Sequence, residues 1–235
     1  GDVAASSEAM ASSLRAFGLE ATQAGHVADV FARAAADTNA ETGDMAEAMK
    51  YVAPVAHAMG LSLEETAASI GIMADAGIKG SQAGTTLRGA LSRLARPTKA
   101  MTKSMEELGI SFYDANGNMI PLTDQIGQLK SATAGLTQEE RNRHLVTLYG
   151  QESLSGMLAL LDAGPEKLDK MTQSLINSDG AAAQMAATMQ DNLASKIEQM
   201  FGAMESAGII IQQILEPMLA KVVGGITRLI EAFIN

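Results

Sequence analysis

The 235-residue sequence contains no cysteine and no tryptophan. The missing cysteine excludes disulfides, thiolate metal sites, iron–sulfur clusters and cysteine nucleophiles together. Aromatic residues make up only 3% of the chain and prolines number 5, so the material of an all-β sandwich is scarce. Positive charge is short as well. A formal net charge of −10 argues against a nucleic-acid-binding domain held by bulk attraction, because affinity for phosphate backbones comes mainly from Lys and Arg displacing counterions. The first residues show no basic region followed by an apolar run, the mark of a signal or transit peptide. The chain opens at Gly1-Asp2 without Met and ends on the apolar Phe233-Ile234-Asn235, which reads as a piece of a longer polypeptide.

Hydrophobic residues account for 47% of the chain and charged ones for 19%. That is enough apolar surface to offset the entropy of ordering. Much of it is Ala, Leu and Met, which favour helices over strands. The expected fold is mostly α: a multi-helix globular domain over residues 1–178 with one small β-hairpin near 110–121, followed by long amphipathic helices over 179–235.

Helix punctuation recurs along the chain. Val27, Val30, Phe31 and Ala34 give the segment Ala21–Asp37 one buried face. Thr42 starts a helix through Met59 in which Pro54 should force a kink or a restart. Ser62 and Glu65, and again Thr137 and Glu140, have the spacing of capping boxes. Gly77-Ile78-Lys79-Gly80-Ser81-Gln82-Ala83-Gly84 reads as a glycine-dense loop entering a helix that Pro97 ends. Ile110, Phe112 and Met119, Pro121 flank Asp114-Ala115-Asn116-Gly117, and Asn-Gly favours a tight turn with positive φ. Helices are expected to resume over 123–133, 137–149, 154–161 and 166–176, with Gly164-Pro165 between the last two.

The sequence carries only fragments of catalytic or metal-binding motifs. His26, His57 and His144 stand far apart with no metal-ligand spacing. Gly71 to Lys79 fails the phosphate-loop spacing, since Gly77 comes one position late and Lys79 does not directly follow it. Asp114, Asn116 and Asn118 imitate the start of a calcium loop, but Met119 and Gln125 occupy the glycine and glutamate positions. The expectation is therefore of a protein that is not an enzyme and carries no catalytic residue, metal or cofactor.

Two features invite a binding role. Between Asp75 and Glu106 no acidic residue occurs, while Lys79, Arg88, Arg93, Arg96, Lys99 and Lys103 supply positive charge. This stretch is either a solvated helix face or a docking patch for an acidic partner or for passing DNA. Lys79, Gly80, Gly84, Arg88, Arg93 and Arg96 are the candidate partner contacts. Further on, Met185, Met189, Leu193, Ile197, Met200 and Met204 recur at helical spacing. Ile211, Leu215, Met218, Val222, Ile226, Leu229 and Phe233 then share one face, with Glu216, Lys221, Arg228 and Glu231 away from it. Such a face suits bundling with other helices or, as an alternative, an amphipathic helix lying on or entering a membrane.

Ala16-Phe17-Gly18-Leu19, Val27-Ala28-Asp29-Val30, Tyr51-Val52-Ala53-Pro54-Val55-Ala56 and Gly60-Leu61-Ser62-Leu63-Glu64-Glu65-Thr66-Ala67 are consecutive blocks that resemble the core region of phage tail tape measure proteins. More specific are the run from Ala74 to Arg88 and Leu94-Ala95-Arg96-Pro97-Thr98, in the same order and spacing. The resemblance spans roughly residues 10 to 165 and includes Phe112 to Gly117 and Tyr149-Gly150-Gln151-Glu152. It implies a structural, mechanical protein of a tailed phage or prophage, located in the virion inside the tail and in the host cytoplasm during assembly. It further implies control of tail length and a part in genome ejection, which brings contact with the host envelope. The implied partners are copies of itself, such as a trimer, tail tube and tail tip proteins, tail assembly chaperones, the host membrane, and DNA only in passing. The chain itself is too short to be a ruler: one unbroken helix of this length would span about 350 Å.

Overall fold

The computed structural model describes residues 3–192 and 195–197. Helices α1 (Val3–Phe17), α2 (Ala24–Asp37), α3 (Thr42–Ala58), α4 (Leu63–Asp75) and α5 (Gly80–Leu94) form the first half. Helices α6 (Lys99–Leu108), α7 (Leu122–Thr133), α8 (Gln138–Tyr149), α9 (Leu154–Ala163) and α10 (Pro165–Ile176) follow. The chain divides into two compact units, Gly1–Gln184 and Met185–Asn235.

Within the first unit α4 is central. Its buried residues run without a gap from Leu63 to Ala74 apart from Glu64, and a helix apolar on all sides belongs inside a bundle. It packs against α2, α3, α5, α9 and α10. The most extensive helix pair is α3 on α5, where small residues let the backbones approach. Gly84 lies in α5, not in a loop, and a Cβ there would overlap the Ala48 carbonyl oxygen and fall 2.8 Å from Ala48 Cα. The sequence-predicted loop over 77–84 is thus shortened to Gly77–Lys79, with Lys79 extended as the residue before the helix.

Helix ends follow local chemistry. Thr137 Oγ1 accepts the Glu140 N–H, and the Glu140 carboxylate accepts from Thr137 in return, completing the predicted box. Ser62 accepts the Glu65 N–H at 3.0 Å, but the reciprocal half of that box is replaced by a distant contact: Glu65 reaches to the start of α7. Pro54 does not restart α3, which runs through it as one helix, and the proline is exposed. Asp29 on α2 accepts the N–H groups of Gly180 and Ala182, both at 2.9 Å, holding the start of the helical residues that begin at 181.

The expected β-hairpin does not form. Among the described residues there is no strand, only an isolated antiparallel bridge between Tyr113 and Met119. The Asp114 carboxylate accepts the N–H groups of Asn116 and Asn118 at 2.9 and 2.8 Å. Gly117 takes a φ of +82°, so the predicted turn is present. The ladder cannot lengthen because α7 begins at Leu122, directly after Pro121, and Ser111 is engaged by Gln128 from that same helix. Phe112 is fully buried in the helical core instead of facing a partner strand.

In the second unit residues 185–192 and 195–197 are helical. Met189 and Ile197 are exposed. Leu193, Met200, Met204 and the whole face from Ile211 to Phe233 lie outside the described residues. Among the described residues no helix is long and apolar enough to cross a membrane.

Candidate functional site

The basic stretch falls on α5, the following turn and α6. Helical spacing puts Ser81, Thr85, Arg88 and Ser92 on the solvent side of α5, while Ala83, Leu87, Ala90, Leu91 and Leu94 are buried. Gly80 and Gly84 are buried with them, facing α3 through Asp44 and Ala48. The two glycines therefore shape the scaffold, and the surface belongs to the cations.

Those cations differ in what they do. Arg93 donates from Nη2 to the Thr147 carbonyl at 3.1 Å and from Nε to that of Leu148 at 3.4 Å. It thereby satisfies the C-terminal carbonyls of α8, where a cation also suits the helix dipole. The Arg88 guanidinium lies over the Tyr51 ring, 5.9 Å from its centroid, a cation–π contact between α5 and α3. Lys103 pairs weakly with Glu107 at 3.7 Å on the exposed side of α6. Lys79, Arg96 and Lys99 are exposed and make no ion pair or side-chain hydrogen bond among the described residues.

Glu65, Tyr149 and Glu152 take places in the structure that the sequence pattern did not assign them. Glu65 is 8% exposed; burial pushes its carboxyl up, opposed by the N–H groups of Thr123 and Leu122. Tyr149 is buried against Phe112, with ring centroids 6.2 Å apart. Together with Arg88, Arg93 and Glu152 it lines a cavity of about 270 Å³ beside α5. Tyr149 closes the helix read over 137–149, and nothing local indicated its burial or the cavity.

The histidines are structural in their contacts. His26 meets Glu64 at 2.7 Å, His57 sits edge-on to Phe17, and the buried His144 shares a hydrogen bond with Ser104 at 2.8 Å. Among the described residues no group of three or more His, Asp or Glu side chains is placed to hold a metal ion.

Fold and surface together define, among the described residues, a mostly helical protein with a basic helix edge. Residues 1–150, from α1 to the end of α8, match the profile of the family described as phage-related minor tail protein. The chain belongs to that family. It is similar over all 235 residues, at 87% identity, to the tape measure protein of Pneumococcus phage Dp-1, of which it covers 20%. It is 34% identical over 216 residues, 91% of its length, to the probable tape measure protein of Escherichia phage P2, covering 26% of that protein. The chain thus spans about a fifth to a quarter of the curated relatives it matches. No solved structure matches it. As a member of that family it is a structural chain of a phage tail.

Proposed function

We propose that this chain is a folded, non-catalytic segment of a tape measure protein that acts by packing onto copies of itself and onto tail tube and tail tip proteins. The whole protein then governs tail length and assembly and takes part in genome ejection, with tail assembly chaperones as partners before the tail is built. The observation that carries this reading is the 87% identity over the entire chain to a tape measure protein.

The fold supports a division of labour inside the parent protein. A ruler measures by extended length, yet the longest helix among the described residues, α3, has 17 residues and spans only about 25 Å. The helices of the first unit fold back on one another around α4. Length setting therefore belongs to sequence outside α1–α10, and this unit serves as an attachment module. Lys79, Arg88 and Arg96 form its docking edge, while the face from Ile211 to Phe233 is the bundling seam.

The test is electron microscopy of tails from phage carrying Gly84→Leu, which should wedge α3 from α5. Loss of assembled tails, with normal length in the few that form, supports an attachment module. Tails of normal number with altered length would assign measurement to this unit and overturn the proposal. The apolar face of residues 211–233 favours a second reading, a segment that enters the host membrane and helps form a conduit for DNA. Leakage from liposomes exposed to a peptide of residues 205–235 would support that reading, and intact vesicles would leave packing as the role of the face.

A further inference from the structure

Asp29 caps a helix to which it does not belong. From α2 its Oδ2 accepts the Gly180 N–H and its Oδ1 the Ala182 N–H, both at 2.9 Å. Helices usually take such a cap from the residue just before the first turn. Here that residue is Gly180, with a φ of +82° and no side chain to offer, and the acceptor comes from 153 positions away in the chain.

Apolar packing does little to fasten this stretch. Beyond Leu175 no apolar side chain is buried among the described residues, and Ile176, Met189 and Ile197 are exposed. Ser178 is 3% exposed, but its hydroxyl has no hydrogen-bond partner among the described residues, so docking leaves a desolvated polar group without compensation. Asp179 meets His26 Nδ1 only at 3.6 Å, while Nε2 of that ring is engaged by Glu64 at 2.7 Å. Ala181-Ala182-Ala183-Gln184-Met185-Ala186-Ala187 is a run of good helix formers. Starting a helix is nevertheless the unfavourable step, and the start is where Asp29 acts.

We infer that Asp29 is the release point of a strap. With its carboxylate on Gly180 and Ala182, the chain at 178–182 stays docked on α2 and residues 181–188 stay helical. When that contact opens, the first two turns unravel while α1–α10 remain folded, because a hold made of two hydrogen bonds to a half-buried carboxylate opens more readily than an apolar core. Eight residues passing from a rise of about 1.5 Å to at most about 3.3 Å each lengthen the connection by up to about 14 Å. The strap is a conformational device of the chain itself, and it goes beyond the attachment reading without depending on it.

The chain has no cysteine, so Ile176→Cys with Met189→Cys, both at exposed positions, allows two nitroxide labels across the strap for pulsed electron-resonance distance measurement. The doubly labelled parent should give one short distance. Adding Asp29→Ala should bring a second population up to about 14 Å longer, and Asp29→Asn, which keeps one carbonyl acceptor, should fall between them. In native-state hydrogen exchange, the unlabelled parent should exchange its Gly180 and Ala182 amides at least about tenfold faster than those of Leu168 and Leu175 in the α10 core. Asp29→Ala should quicken the first pair about tenfold again, the loss of charge-assisted bonds, with the thermal midpoint unchanged. Identical distance distributions in the parent and Asp29→Ala would overturn the inference. So would Gly180 and Ala182 amides that exchange in the parent only together with the core, or an Asp29→Ala variant whose α10 amides and thermal midpoint fall with the strap, since the cap would then belong to the core. None of these outcomes touches the attachment reading, which rests on the relatives and not on this contact.

Discussion

Glu65 and Leu122 lie 57 positions apart in the chain, yet the Glu65 carboxylate accepts the Leu122 N–H at 2.6 Å. It also accepts that of Thr123 at 3.3 Å. One buried acid on the central helix thus caps the N-terminus of α7, where a side-chain acceptor satisfies backbone groups that no helical turn can reach.

This contact has a signed pH dependence. Burial outweighs the hydrogen bonds and holds the Glu65 carboxyl above its ordinary 4.5, so the folded chain binds the proton more tightly than the unfolded chain. Its contribution to stability is then fully present below 4.5 and is lost as pH rises through the folded value. Urea unfolding of the parent and Glu65→Gln between pH 4 and 7 should show the parent losing ground to the variant as pH rises. A difference that is flat, or that grows with pH in favour of the parent, would contradict the assignment.

Gly84 should be less replaceable than Gly80 at the start of the same helix. A Cβ there meets the backbone of Ala48, which cannot move aside as a side-chain tip would. Gly84→Ala is expected to cost about 1–3 kcal/mol through forced separation of α3 and α5. Gly80 has a φ of +54° with its nearest neighbour, Asp44 Oδ1, at 3.5 Å, so Gly80→Ala should cost only about 1 kcal/mol of backbone strain. Denaturant midpoints of the two variants check the order.

Arg93 and Arg96 separate scaffold from surface. Arg93→Ala removes both donors to the α8 carbonyls and should lower stability by about 1 kcal/mol, little of it from charge on so exposed a side chain. Arg96→Ala, which loses no partner among the described residues, should stay within about 0.5 kcal/mol of the parent. If both lie on the attachment edge, both should weaken tail assembly, and only Arg93→Ala should shift thermal unfolding.

Asp114 should titrate in the opposite sense to Glu65. The N–H of Asn118, foremost, and that of Asn116 hold its carboxyl below the ordinary 3.8, so its contribution is present above 3.8 and is lost as pH falls through the folded value. Amide exchange at Asn116 and Asn118 should quicken in Asp114→Ala relative to the parent at neutral pH. Unchanged exchange would show that the turn stands on Gly117 alone.

The parts of this fold legible in the sequence are those whose partners lie within about four residues. Thr137 with Glu140, and Thr98 at the start of α6, are local hydrogen-bond systems that chain chemistry settles before any packing. The ordered blocks from Ala16 to Thr98 carried the family in the same way, being a linear pattern. The candidate site was legible only as a run of cations: charge shows in a sequence, but the different tasks of Arg88 and Arg93 depend on Tyr51 and on the end of α8.

Tertiary structure decided the rest wherever a distant neighbour competed with a local preference. Glu65 left its own capping box because an uncapped α7 N-terminus lay beside it, and Gly84 serves a helix crossing, not a turn, because Ala48 packs against it. Phe112 and Tyr113 had strand-forming character, but the helical core buried Phe112 and the immediate start of α7 left the ladder at one bridge. The sequence by itself determined helices, caps and family, since these rest on short-range hydrogen bonding and linear order. Which faces close on each other, and so which cations remain for a partner and where Tyr149 meets its cavity, followed only from packing the helices around α4.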